Sequence, residues 1–249
     1  MHVVSLHPFD PEVLRRYVPA LQGGEIDPAW GGWFDERLRD DVVQMRQGSE
    51  PAANRITLGL AKALAATQPV FVHDPFGLSF WEAQVDRPIG MLMRPPARAF
   101  QEHGMNQVMV QVMPVRLDLQ LGMMGGAWIP ARLMEQAQAM LDDHLERSVK
   151  RLMAAEYDPY PITGLLFEAV SYARDRGLGL YEALDVVGPN GEGLPGATVI
   201  AADRKRIDPA LVARIAAASQ PEKKPGLLSR LFGRGPGTVP SNGRHPGER

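Results

Sequence analysis

Between Pro130 and Ala155 the apolar residues return every three or four positions, through Leu133, Met134, Ala137, Met140, Leu141, Leu145, Val149, Leu152 and Met153, with no internal Gly or Pro. That period places them on one side of a helix, and Pro130 suits its first turn. Asp143 with Arg147 and Glu146 with Lys150 add acid-before-base pairs one turn apart. A second stripe, Ile162, Leu165, Leu166, Ala169, Val170 and Ala173, predicts a helix over Ile162–Arg176 that stops at Gly177. The turn Asp158-Pro159-Tyr160-Pro161 between them is short, so the two helices are expected to share a core.

Residues 33–47 and 50–67 also read as helices, the latter with Ala53, Ile56, Leu60 and Leu64 on one face. Asp10-Pro11 and Asp208-Pro209 are fitted to open helices over 11–21 and 209–218, because Asp accepts from free N–H groups and Pro loses nothing in a first turn. Asp27-Pro28, Asp74-Pro75 and Asp158-Pro159 read as turns. Val115, Leu117, Leu119 and Leu121 alternate with polar residues and predict a half-buried strand, with 107–113 as its extension or partner. Val70–Val72 reads as a short apolar strand, and Val3–Leu6 and Ala197–Ala202 as further candidates. Helices outnumber strands and the order is mixed. The expected class is α+β: a helix-rich single body over residues 1–219 with a small mixed or antiparallel sheet, or alternatively two lobes meeting near residue 95.

Residues 220–249 break the pattern. Eleven of the thirty are Gly or Pro, six are Lys or Arg, and only Glu222 and Glu248 are acidic. Such a stretch cannot bury enough apolar surface to offset the entropy of ordering, so a disordered tail is expected. Within it, the motif at 226–233 carries Leu227, Leu228, Leu231 and Phe232, spaced to fall on one side of one or two helical turns, with Arg230 and Arg234 as a basic flank. An apolar island in a basic tether suggests a docking motif that takes up helix only in a partner's groove.

Charge divides at the same place. Six basic and two acidic residues make the tail +4; the remaining 21 basic and 27 acidic residues make the body −6. An acidic body argues against specific nucleic-acid binding. The chain has no Cys, which excludes disulfides, thiolate nucleophiles and Cys-ligated metals. The first residues lack a basic region followed by an apolar run, and no stretch of about 18 apolar residues occurs, so a cytoplasmic protein is expected.

Candidate chemistry is sparse. His73-Asp74 follows the apolar run Val70–Val72, the place where α/β sheets often carry sites, and His beside a carboxylate is the equipment of a general base. The plainer reading is that Asp74-Pro75 begins a turn and His73 caps the strand, since neighbours in an extended chain point to opposite sides. Asp118 lies on the polar side of the 115–121 strand and joins the candidate set; a solvated face beside Arg116 is the alternative. Asp142, Asp143, His144 and Glu146 lack the second histidine that a zinc helix needs, which leaves His144 as a packed or interface residue. The loop Gly122–Gly126 lacks the Lys and Ser/Thr of a phosphate loop. Seven of twelve methionines fall between Met91 and Met124, and Trp30, Trp33 and Phe34 cluster; both groups read first as packing. Arg204-Lys205-Arg206 reads as a solvated turn. No cofactor or metal is expected.

The leading expectation is therefore a non-enzymatic interaction or adaptor protein whose tail docks a protein partner, with self-association of the body left open. The alternative is a small-molecule hydrolase using His73, Asp74 and Asp118. A third is a peripheral factor whose basic tail meets an anionic membrane surface or another polyanion.

Overall fold

A mixed five-stranded sheet in the order β3-β4-β1-β2-β5 organises the computed structural model. The structure describes residues 3–10, 12–13, 15, 18–19, 36–65, 67–104, 126–188 and 198–220. The strands are β1 (Val4–Phe9), β2 (Val70–Val72), β3 (Trp128–Ile129), β4 (Gly179–Leu184) and β5 (Val199–Ala201). Neighbours run antiparallel from β3 to β2, and β5 joins β2 in parallel. Together with seven α-helices among the described residues, this is an α+β fold. The strand read at 115–121, residues 107–113, the loop Gly122–Gly125, the methionines from Met105 to Met124, and Trp30, Trp33 and Phe34 lie outside the described residues. So do Asp118, the side chains of Leu60 and Leu64, and all of the tail beyond Gln220. Contacts divide the chain into Met1–Ser219 and Gln220–Arg249.

The helices are α1 (Glu36–Arg46), α2 (Glu50–Ala65), α3 (Leu78–Phe80), α4 (Ala97–Glu102), α5 (Met134–Ala154), α6 (Pro159–Asp175) and α7 (Pro209–Ala218). One core cluster joins the sheet to three helices: Leu6, Phe71 and Leu180 from the sheet meet Leu141 and Val149 of α5, Leu166 and Val170 of α6, and Ile215 of α7. Because the stripe on α5 covers that on α6, Leu141 and Leu166 are buried to 1% and 4% exposure. Full burial of such a side chain is worth about 2 kcal/mol or more.

β1 lies at the centre of the sheet yet contains Pro8, which has no N–H to give a ladder. Pro8 aligns with Leu180 of β4, whereas β2 pairs only as far as Leu6↔Phe71 and begins at Val70, so one flank of β1 is already unpaired there. Both α2 and α6 contact β1, and all six residues of β4 are buried. Burial on both faces removes the alternation that marks a one-sided strand, so β4 carries no strand signal in the sequence.

Helix ends follow side-chain chemistry. Asp208 opens α7 by accepting from the N–H groups of Ala210 and Leu211, and Asp10 accepts from Glu12 in the same way. Asp158 corrects the reading of a plain turn: it accepts from the Tyr160 N–H, and α6 starts at Pro159, three residues before the predicted start. Proline at 159 and 161 costs nothing there, since N–H groups in the first turn have no helical partner. α1 and α6 close on Gly48 (φ 89) and Gly177 (φ 66). In each, the next residue's N–H reaches back to the last turn, Ser49 to Gln44 and Leu178 to Ala173. α5 closes in the same way, Tyr157 to Leu152, but its left-handed residue is Glu156 (φ 62).

Candidate functional site

β2 delivers His73 and Asp74 to the carboxyl end of a short, fully buried strand, where the chain turns through a cis Asp74–Pro75 bond. The two side chains part there. Asp74 accepts from the Val4 N–H at 3.3 Å and ties the turn to β1. The His73 ring leans on Phe76 with centroids 4.7 Å apart, and its buried Nε2 has no hydrogen-bond partner among the described residues. Burial lowers the His73 pKa, against the opposing pull of Asp74 and Asp158, so the ring is held towards its neutral form. Phe76, Phe80 and Tyr157 complete a cluster beside it, each ring edge-on to the others at 4.7–5.6 Å.

Two buried carboxylates escaped the sequence reading. Glu182 of β4 points at the start of α3 and accepts from the Ser79 N–H (2.9 Å), the Ser79 hydroxyl (2.6 Å) and the Leu78 N–H. It does for α3 what a capping residue does, from 103 residues away. Burial raises its pKa, opposed by those donors. Gly77 is glycine for this reason: a Cβ there would run into the Glu182 carboxylate. At the other end α3 passes into a π-helical turn, Trp81–Val85, closed by the Asp86 N–H to Trp81 carbonyl bond at 2.7 Å. Asp86 is fully buried and is held by His144 Nδ1 at 2.8 Å and by the Arg147 guanidinium. Arg151 donates to the Val85 carbonyl at 2.7 Å. One face of α5 thus clamps the carboxyl end of the turn, where cations are favoured.

This clamp redirects the charges read along α5. Glu146 pairs with Lys150 at 2.9 Å, as the spacing predicts. Arg147 turns instead to Asp86, because a fully buried carboxylate needs a partner far more than exposed Asp143 does. Asp142 pairs with Arg214 at 2.6 Å and His144 with Asp86, so these residues diverge; no metal-binding group of three occurs among the described residues. The basic turn at 204–206 is not simply solvated: Arg206 pairs with Glu168 at 3.3 Å, and Arg204 stacks over Tyr160 at 3.8 Å.

A third histidine lies in the sheet itself. His7 is sealed between β1 and β4, stacked 4.8 Å over Tyr181, with Nε2 at 2.7 Å from the Ser5 hydroxyl. Its Nδ1 has no partner among the described residues, and burial lowers its pKa to about 3. Ser5 and His7 resemble a nucleophile and base in their bond alone, since both are about 1% exposed and closed to substrate.

Among the described residues, two clefts follow α5 and α6. The larger, about 580 Å³, runs along α6 between α5 and α7 and is lined by Gln138, Phe167, Tyr172, Arg176 and Leu211 among others. Its ion pairs, Asp142–Arg214 and Glu168–Arg206, are internal to the wall, and Arg176 stacks on Tyr172 at 3.7 Å. The smaller, about 450 Å³, follows Arg147, Lys150 and Arg151 of α5. His73 lines neither. Of the sequence candidates, His73 and Asp74 are neighbours with divergent side chains; Asp118 and Leu227, Leu228, Arg230, Leu231, Phe232 and Arg234 lie outside the described residues. No helix among the described residues is long and apolar enough to cross a membrane. No protein-family model, curated protein or solved structure matches the chain.

Proposed function

We propose that the protein is a non-enzymatic interaction protein that recruits a protein partner through Leu227, Leu228, Leu231 and Phe232, flanked by Arg230 and Arg234. One observation carries this reading: composition and charge change together at residue 220, from a body of −6 to a segment of +4 in which a lone group of four large apolar residues stands. Spaced apolar anchors with basic neighbours are how a short segment is read by a groove. Removing residues 220–249 should leave the melting temperature of the body nearly unchanged while abolishing recruitment. Full-length protein and Leu228→Asp/Leu231→Asp are compared in partner pull-down and in co-sedimentation with phosphatidylserine vesicles. Loss of protein capture alone supports the reading, loss of vesicle binding alone moves it to a membrane surface, and equal retention of both by the two forms rejects it.

A hydrolytic role for His73 with Asp74 and Asp118 is the second reading. It rests on a ring held towards neutrality, the state a general base needs, whose buried Nε2 has no hydrogen-bond partner among the described residues. Turnover of p-nitrophenyl acetate above an imidazole control, lost in His73→Gln, would support it; equal rates in the two proteins would end it.

A further inference from the structure

Met153 and Tyr157 are two of the four large apolar residues that stand exposed among the described residues, at 43% and 39%, and they lie within one turn of each other at the end of α5. Tyr157 packs edge-on against Phe76 (5.3 Å) and Phe80 (5.6 Å), both only partly buried, so the exposed ring extends a larger aromatic surface. The three rings pack edge to face against one another, so a guest would lie across them.

The edge of this surface is acidic. Glu156 and Asp158 flank Tyr157 in the chain, and Asp74 and Asp158 are the charged groups whose fields act on the adjoining His73. Asp74 and Asp158 each spend an oxygen on a backbone N–H, of Val4 and Tyr160, which fixes the carboxylates without neutralising them. Glu156 is the more telling residue. It holds the left-handed position (φ 62) that closes α5, a place filled by Gly48 in α1 and Gly177 in α6. A side chain is disfavoured there, so the turn keeps a carboxylate at a position where glycine fits better. Strain of this kind collects at functional surfaces.

We propose that this surface is a second docking site, taking a protein segment in which arginine or lysine stands among aliphatic side chains. The aliphatic groups lie on Phe76, Phe80 and Tyr157, with Met153 adapting at the margin. The cation settles over the exposed ring of Tyr157 and beside Glu156 and Asp158, combining cation–π attraction with opposite charge.

The test is fluorescence anisotropy on the full-length protein. The probe is a fluorescein-labelled peptide with two arginines among leucines, and its control has glutamates in their place. The arginine peptide should bind, and more weakly as salt is raised. Tyr157→Ser should weaken it about tenfold. Glu156→Gly/Asp158→Asn should weaken it about fivefold, while Asn still caps α6 and Gly still closes α5, so the melting temperature does not fall. Equal binding of the glutamate peptide, unchanged affinity in both variants, or no binding at about 1 mM protein would each overturn the proposal.

Discussion

Acid should destabilise this protein through His7, which burial in the sheet holds neutral. In the unfolded chain a histidine titrates near 6.5, whereas His7 in the sheet is lowered to about 3. Between those values the unfolded chain binds a proton that the folded chain refuses, so stability rises with pH in this window and is lost as pH falls from 6.5 towards 3. Two protonation equilibria with those constants cost about 2 kcal/mol on going from pH 7 to pH 5, and about 4–5 kcal/mol at pH 3. Full burial means that solvent does not screen this effect away. Glu182 acts in the opposite sense: its raised pKa gives a contribution present below about 4.5 and lost as pH rises through the folded value. His73 and His103 are lowered by burial as well and share the sign of His7.

The His7 contribution is therefore read as a difference. Urea unfolding of the native protein and His7→Gln is measured at pH 7 and pH 5, and the gap between them should shrink by about 2 kcal/mol at the lower pH. With a slope of about 2–3 kcal/mol per molar urea, that is a relative midpoint shift of about 0.7–1 M. Histidine ring resonances in the native protein give a reading that does not depend on the variant folding: His7 should remain neutral at pH 5. A His7 ring that titrates near 6, or parallel pH profiles for the two proteins, would refute the reasoning.

Three further outcomes follow from packing. Gly77→Ala drives a methyl into the Glu182 carboxylate and the Val4 side chain, and should cost about 1–3 kcal/mol, seen as a lowered melting temperature. Leu141→Ala and Leu166→Ala, from the facing stripes of α5 and α6, should each cost about 2–5 kcal/mol in chemical denaturation; a loss under about 1 kcal/mol would mean the stripes do not share a core. Glu156→Gly should stabilise the body by about 1 kcal/mol by relieving a left-handed side chain, and an unchanged or lowered melting temperature would contradict that.

The long helices were legible because their signal is local. The period along 130–155 and the Asp-Pro steps at 10 and 208 need nothing from the rest of the chain, and α5, α6 and α7 lie where that pattern places them. What escaped depends on distant partners. β4 shows no alternation because both its faces are covered, and α3 with its π-helical turn lacks a local cap because Glu182 supplies one from across the sheet. Asp86 carries no local signal, because its partners His144 and Arg147 come from α5, 58 and 61 residues away. The candidate site was legible only in part for the same reason. His73 and Asp74 were visible as a pair, but the bond to Val4 and the contact with Phe76 that turn them apart come from tertiary neighbours.

The segment from Leu78 to Asp86 is fastened at each end through a buried carboxylate, that of Glu182 in the sheet at one and that of Asp86, held by His144 and Arg147 of α5, at the other. A short helical turn by itself would fray on its own schedule. This one cannot open without stranding a carboxylate at one end or the other, each a penalty of several kcal/mol. Local opening is thereby made as difficult as separating α5 from the sheet. The amides of Trp81, Val85 and Asp86 should accordingly exchange with solvent only when the whole core does, so that eight or nine residues with little helix-forming strength of their own behave kinetically as part of the slowest-exchanging unit of the molecule.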